Sequence, residues 1–568
     1  MKRIISLLLV AIMVLYLAAC GTGKPVATEA PAAPEATEAP AAPETPEATE
    51  PAVSDIPDLS GVTIRILTNS AFTAGVDYTT ILARWEQVEE RTGCEIIWEC
   101  IDTDYETVLN TRLAGDPSTA PDIVMVGNVT GASSYIEDGL LYDLTQAYDV
   151  CPNIKAFYTE TNPEMADILT YVDGGIYQMA SSSYVSYEDY VEYTGTTIDN
   201  HLWYRSDLAA ELGFTEEPET IDDWYEMLCA AKEAYPDMYI FDIGNNLVWA
   251  WTSTSVFASS FGVKQNFENS SNMFYVDDNG KVVFEPTQDN VKAWLTEMKK
   301  WNDAGLFHTN GANGDLYTNA AGGLTFASFF RGLSGHVTAY VETDPNIWYE
   351  TVAMPTAEGY ERAYGSRNPY GTTYAIVNNG DEDQCRAVAQ FLDYAVYSDY
   401  GVACERMGPE GHAWNFDENG NVVLNPDIDE WTHTNDLHLL GAYMWGRFPS
   451  VFSADINEKY TEMSNSALAA AELDERLEYI NTDAIDTTAV NMSFAFAKFV
   501  APYMEAEDQE IANEILADLK TFTKEMFTNY VLGNKDLDNW DTEFVQVVYD
   551  EFRLQELLDL YQKYVDAK

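Results

Sequence analysis

Residues able to do covalent chemistry occur in this sequence, but not at the spacings that catalysis needs. It contains no His-Glu-x-x-His, no Cys-x-x-Cys and no Gly-x-Ser-x-Gly. Gly332-Leu333-Ser334-Gly335-His336 resembles a nucleophile elbow only superficially, since its second glycine falls one place early, and it reads as a turn. His433 and His438 flank Asp436 at a five-residue gap, which does not align two metal ligands on a helix as a four-residue gap does. No glycine-rich phosphate loop precedes a helix pattern. Carboxylate pairs such as Asp536 and Asp538 are expected by chance among 93 acidic residues, and a glycosidase pair is defined by its separation in space. Asp277-Asp278 and Asp417-Glu418 lie beside Asn-Gly pairs but lack the spacing and terminal glutamate of a calcium loop. Neither catalysis, a cofactor nor a metal is expected. The formal charge of −63 also makes nucleic acid a very poor partner and argues mildly against a polyanionic substrate.

The beginning of the chain carries a different kind of chemistry. Met1-Lys2-Arg3 is basic, Ile4 to Ala19 is almost wholly apolar, and Leu17-Ala18-Ala19-Cys20 closes the run. That order is a secretory signal, and a cysteine directly after small residues resembles a lipobox. Cleavage before Cys20 and lipidation of its sulfur are expected, leaving residues 1–19 as signal peptide and anchoring the chain on the extracellular face of the membrane. Residues 20–59 repeat Pro, Ala, Thr and Glu, as in Ala36-Thr37-Glu38-Ala39-Pro40. Such a segment has almost nothing to bury and reads as an extended tether. Six cysteines remain: Cys94, Cys100, Cys151, Cys229, Cys385 and Cys404. Sparse and irregularly spaced, they read as mostly buried free thiols, with a disulfide left open.

The rest of the chain exceeds one hydrophobic core and predicts two or more lobes. Val62 to Leu67, Glu95 to Trp98 and Pro121 to Val126 read as strands. Between them, Ile81, Trp85 and Val88 mark one helix stopped by Gly93, and Tyr105 to Leu113 marks another. That βαβαβ order predicts a parallel sheet flanked by helices. A second unit begins near Leu202. There Ser206 is a candidate helix cap, Gly213 ends the helix, and Thr220-Ile221-Asp222-Asp223 has the form of a capping box. Asn279-Gly280 and Asn419-Gly420 predict hairpins with positive φ at both central residues.

Several segments resemble the extracellular solute-binding lipoproteins of carbohydrate ABC importers, in particular the large Gram-positive branch associated with aldouronate and related oligosaccharides. Leu202-Trp203-Tyr204-Arg205-Ser206-Asp207-Leu208 followed by Pro218-Glu219-Thr220-Ile221-Asp222-Asp223-Trp224 is the most specific match. Gly139 to Thr145, Asp173 to Met179, Gly401 to Val422, Ile511 to Phe527, Tyr530 to Gly533, Leu537 to Asp541 and Leu557 to Tyr564 follow in the family's order. The resemblance implies an α/β, two-lobed periplasmic-binding-protein-like fold of type II. Each lobe is then a mainly parallel sheet flanked by helices, with a ligand cleft between the lobes. By analogy the chain crosses between lobes near His201–Arg205, Val352–Pro355 and Gly408–Trp414. Lobe one is then 60–200 plus 356–407, and lobe two 201–355 plus 408–568. The implied partners are an oligosaccharide, held by hinge closure, and the transmembrane subunits of an ABC permease, with the protein itself a monomer. A surface adhesin or sensor, or an extracellular glycan hydrolase, are the competing readings.

A sugar needs flat aromatic platforms for its C–H faces and polar groups at the rim. Trp249 and Trp251 stand two apart in an irregular stretch; Tyr370 sits between Pro369 and Gly371; Trp414 follows Gly411 and His412; Trp445 precedes Arg447. Asn69 and Ser70 end the first strand, on the edge where open α/β sheets bind ligands. By analogy with related binders, Phe330 and Arg331 line the cleft, and the Arg331 fork favours a carboxylate or vicinal hydroxyls. Tyr177, Tyr204 and Arg205 are alternatively hinge structure.

Overall fold

A computed structural model describes residues 56–568 outside the segments 70–81, 102, 116–118, 128, 183–199, 245–246, 249–253, 265–272, 310–314, 332–346, 366–369, 426–447, 471–474 and 497–498. Strand β1 (Thr63–Asn69) buries Ile64 and Ile66 in alternation. It pairs in parallel with β2 (Glu95–Ile101) and β3 (Ile123–Gly127). Helix α1 (Ala83–Thr92) turns Trp85, Val88 and Thr92 inward and stops at Gly93, whose φ of 77° supplies the left-handed cap. Helix α2 (Tyr105–Leu113) buries Leu109 and Leu113 on one face, and α3 (Ser133–Glu137) follows β3. The sheet is completed by β4 (Met179–Ser182) and by a strand that returns much later in the chain, giving five strands.

Strand β5 (Asn200–Arg205) opens the second sheet, with β6 (Tyr239–Asp242), β9 (Phe307–His308), β10 (Thr325–Arg331) and β11 (Tyr349–Val352). Helix α4 (Ile221–Ala234) precedes β6 and opens with a complete capping box: Thr220 Oγ1 accepts from Asp223 N while Asp223 Oδ2 accepts from Thr220 N. The Ser206–Glu211 helix begins on Ser206 itself, with Arg205 at the cap position, so Ser206 does not act as the expected cap. Gly213 follows at φ 94°. Strands β7 (Phe274–Val276) and β8 (Val282–Phe284) form a hairpin, and α5 (Asp289–Asp303) buries Trp294, Met298 and Trp301.

After β12 (Tyr364–Gly365), strand β13 (Tyr370–Ile376) re-enters the first sheet, followed by α6 (Glu382–Leu392) and α7 (Asp399–Met407). The hairpin β14 (Trp414–Phe416) and β15 (Val422–Leu424) leads to α8 (Ala454–Ala470) and α9 (Glu475–Met492). Strand β16 (Ala495–Phe496), α10 (Ala506–Val531) and α11 (Leu554–Val565) finish the described chain.

The two sheets share one plan. The first runs β2-β1-β3-β13-β4 and the second β9-β6-β10-β5-β11. In each, three neighbouring strands are parallel, the fourth is reversed, and the fifth pairs antiparallel with the fourth. The reversed strand is in both cases the one that has just arrived from the other sheet: β5 follows β4, and β13 follows β11 and β12. Each lobe is therefore completed by chain arriving from its neighbour.

The hairpins form where expected but by another turn. Gly280 and Gly420 have φ of 76° and 83°, and neither Asn279 nor Asn419 is left-handed. Asp277 Oδ1 instead accepts from the backbone N–H groups of Asn279 and Lys281, and Asp417 Oδ1 from those of Asn419 and Asn421. The acidic residue holds a three-residue loop in which only glycine must be left-handed. These backbone bonds hold both carboxyls below their usual range.

The expected third crossing is displaced. Ala413, Trp414, Phe448, Val451, Ile456 and Met463 belong to the first core, not to the second lobe. Helix α1 explains it: Arg91 pairs with Glu410, and Gln87 Nε2 donates to Glu410 O at 3.0 Å. The chain passes to the second lobe between α8 and α9 instead. Asp483 Oδ2 accepts from Thr351 N and Oγ1 at 2.8 Å each, and Asn491 Oδ1 accepts from Met354 N at 2.9 Å.

Candidate functional site

The carboxyl ends of the parallel strands are where an open α/β sheet leaves backbone groups and loops free for a ligand. In the first sheet that edge is set by Asn69, Ile101, Gly127 and Ser182, with Tyr370, the first residue of the reversed strand, paired to Ser182. Asn69 is half-buried there. In the second sheet the edge is set by Asp242, His308 and Arg331, with Arg331 paired to Asn200 and Phe330 to His201. The topology therefore brings Asn69 and Tyr370 to one edge, and Phe330 and Arg331 to the corresponding edge of the other sheet. Ser70 follows β1 directly, and Trp249 and Trp251 follow the end of β6. These three and Trp445 lie outside the described residues, as does Cys20.

Trp414 is a correction. It is fully buried in the first core, its Nε1 donates to Gly408 O at 2.8 Å, and its ring packs on Tyr400 and edge-on to Phe416. A side chain enclosed in this way offers a ligand nothing. The neighbouring glycines that made it look like loop aromatic furniture serve the tight return of the chain into β14.

Tyr177, Tyr204 and Arg205 are structural. Tyr177 OH donates to Asp173 Oδ2 and Tyr204 OH to Glu350 Oε2. Arg205 grips Asp207 with a two-pronged fork, Nε–Oδ1 at 2.7 Å and Nη2–Oδ2 at 2.6 Å, and reaches Gly323 O. It thereby ties the end of β5 to the turn before β10. The six cysteines named above are free thiols, four of them buried.

One residue of this edge was missed. Asp242 ends β6 with no exposed surface; its Oδ2 accepts from Asn319 Nδ2 at 2.9 Å, its Oδ1 from Gly244 N, and its backbone oxygen from Ser328 Oγ at 2.6 Å. Burial pushes the carboxyl up, opposed by the Asn319 and Gly244 donors and by nearby His308. It acts as a staple at the root of the loop that carries Trp249 and Trp251. The legible signal was a lone carboxylate closing an apolar strand, Tyr239-Ile240-Phe241-Asp242, two residues before a glycine.

The two cores also meet away from the connecting strands. Tyr503 belongs to the first core although Met504 and the body of α10 belong to the second. Its ring stands edge-on to Tyr171 at 5.5 Å, and Glu137 Oε1 accepts both from Tyr171 OH and from the backbone N–H of Ala506 in the first turn of α10. A carboxylate at a helix start is favourably placed. Among the described residues no group of three or more His, Cys, Asp or Glu is arranged to hold a metal, and no helix is long and apolar enough to cross a membrane.

No family model matches the sequence, and no curated protein matches it. Solved structures do. The ABC-transporter substrate-binding protein FusA of Streptococcus pneumoniae, in complex with kestose, superposes with a TM-score of 0.66 at 18% identity over 89% of this chain and 99% of that one. An HMO-binding, ABC-transporter-associated solute-binding protein from Bifidobacterium longum infantis gives 0.66 at 17% identity, over 89% and 98%. The alginate-binding protein AlgQ2, solved without calcium ion, gives 0.62 at 18% identity, again over 89% and 98%. These neighbours are binding proteins, and this chain carries the α/β fold of carbohydrate solute-binding proteins across its two sheets.

Proposed function

We propose that this protein is a lipid-anchored extracellular solute-binding protein that captures an oligosaccharide by hinge closure and delivers it unchanged to an ABC permease. The observation that carries the reading is the exchange of reversed strands between two sheets of one plan. Two lobes built this way are joined by crossing segments that begin or end on the ligand-binding edges, so a small rotation of the crossings opens or shuts the space between them. The likeness of fold to oligosaccharide binders supports a sugar as the guest. The lipobox-like Leu17-Ala18-Ala19-Cys20 and the Pro/Ala/Glu/Thr tether support anchoring of a monomeric body beyond the lipid headgroups. Candidate ligand contacts are Asn69, Ser70, Trp249, Trp251, Phe330, Arg331, Tyr370 and Trp445.

The test combines binding with shape. A thermal-shift screen against plant and host oligosaccharides is expected to yield a compound that raises the melting temperature, and small-angle scattering is expected to record a smaller radius of gyration with that compound bound. Chromatography of the recovered sugar is expected to return it intact. A screen without any stabilising sugar, or a cleaved product, overturns the reading. Cys20→Ala is expected to move the protein from the membrane fraction to the medium.

A further inference from the structure

In a chain with 30 basic and 93 acidic residues, a cation without a carboxylate partner is unusual. Arg84, Arg91, Arg112, Arg205, Arg386 and Arg553 all pair with Asp or Glu. Arg362 and Lys264 do not: neither makes an ion pair, and both are half-buried against aromatic rings. The Arg362 guanidinium lies over Phe494 at 4.3 Å and gives one hydrogen bond, from Nη1 to Met354 O at 2.7 Å, so the rest of its N–H fork has no protein partner. Lys264 Nζ stands 4.3 Å from the Tyr275 ring and 4.5 Å from that of Phe496.

The two cations belong to one construction. Tyr364 and Gly365 pair in parallel with Ala495 and Phe496, and Tyr364 N donates to Phe494 O, so Phe494 and Phe496 are alternate residues of one extended edge. Alternate residues of a strand face the same way, about 7 Å apart. Arg362 and Lys264 therefore sit side by side on one face. The segments that bear them run together: Ala363 N donates to Ser259 O, and the Phe261 and Tyr360 rings pack at 5.3 Å. The bond to Met354 places Arg362 two residues beyond the carboxyl end of β11, on the crossing that leads to Tyr370 and the first sheet.

We propose that Arg362 and Lys264 form an anion-selecting subsite beside the hinge, which takes the carboxylate or sulfate group of an acidic oligosaccharide. The inference rests on the sugar-binding reading above and adds the class of sugar. The net charge of the protein repels an anionic guest, so an acidic sugar needs a local positive pair to be accepted. The aromatic faces hold both cations in place without neutralising them, as a carboxylate partner would. The fork of Arg362 suits a carboxylate.

The experiment uses singly charged uronate-bearing and sulfated oligosaccharides, each paired with its carboxyl-reduced or desulfated form, titrated into the full protein by calorimetry. Acidic members are expected to bind at least tenfold more tightly than their neutral partners, with a preference that shrinks as salt rises. Arg362→Gln and Lys264→Gln are expected to erase the preference and to leave neutral binding within about twofold; Arg362→Lys is expected to keep part of it. The ratio of acidic to neutral affinity is read within each variant, so a partly folded variant does not distort it. Equal affinity for the paired sugars overturns the inference and leaves the sugar-binding reading standing, as does a preference that survives the double variant. Failure of every sugar, neutral and acidic, sinks both.

Discussion

Removing Arg84 is expected to produce a stability defect whose size depends on pH. Arg84 is 1% exposed and Glu405 4%. The guanidinium of α1 pairs with the Glu405 carboxylate of α7, donates to Ala395 O at 3.0 Å and to Gly401 O, and stands 4.5 Å over the Trp85 ring. Arg84→Met keeps much of the stem's volume and leaves a carboxylate in the first core without its cation. Breaking such a pair costs about 3–5 kcal/mol. An independent bound comes from the escape route, which is to protonate the stranded group. Putting a proton on an ordinary glutamate of pKa about 4.3 at pH 7 costs roughly 2.7 × 1.36, or about 3.7 kcal/mol. The two agree, and the second carries a sign. The folded variant holds the proton while the unfolded chain releases it, so the deficit grows by about 1.4 kcal/mol per pH unit above pH 4.3 and nearly vanishes below it. At pH 7 the transition is expected to fall by about 8–16 °C, taking about 2–4 °C per kcal/mol for a large domain. Arg84→Met with Glu405→Met removes the stranded charge, and is expected to regain most of the loss and to flatten its pH dependence. Calorimetry at pH 5.0, 6.0 and 7.5 decides. A deficit that does not change with pH, or a double variant no better than the single one, refutes the reasoning.

Other predictions follow from single groups. Asp393 is pushed up to about 6 by burial, against the opposing hydrogen bonds from Ile154 N and Asn153. Its folded state holds a proton that the unfolded chain, near 3.9, has lost, so stability falls by roughly 3 kcal/mol between about pH 4 and 6. Asp393→Asn is expected to remove that slope in denaturant titrations. Asp483→Ala breaks the two bonds by which α9 holds Thr351 at the root of the second crossing. It is expected to cost about 1.5–3 kcal/mol and to change sugar affinity, because the crossing loses its anchor; unchanged affinity with lowered stability removes Asp483 from the hinge. Trp414→Ala is expected to cost about 3–5 kcal/mol and to leave the affinity of the folded fraction within twofold, as a core residue should. Lost affinity at unchanged stability would restore Trp414 to the ligand.

Much of the fold was legible because local rules and burial agreed. Trp85 and Val88 on one face with Gly93 at the end, the whole of Tyr105 to Leu113, and the Thr220–Asp223 capping box each state their structure within a dozen residues. Where the outcome turned on a partner far away in sequence, local reading failed. Nothing around Gly408 to Trp414 reveals that Arg91 and Gln87, over 300 residues earlier, hold that segment on the first core. The Asn-Gly pairs announced hairpins, but the turn type was decided by the preceding aspartate, whose side chain caps the loop and spares the asparagine a left-handed backbone.

The site is harder to read for a related reason. A platform aromatic and a core aromatic have the same composition, and loop-like neighbours do not tell them apart: Trp414 has glycine and histidine beside it and is fully enclosed. Charge is more informative, because in so acidic a chain the expected fate of each cation is an ion pair. Arg331 drew attention through its place at a strand end, whereas Arg362 and Lys264 are conspicuous only once the partners of every other described arginine are known. What identifies them is a pairing that fails to occur, and that depends on the whole surrounding surface. A local motif cannot encode it, which is why the class of sugar has to be argued from the folded chain and tested by exchanging one charged group on the guest.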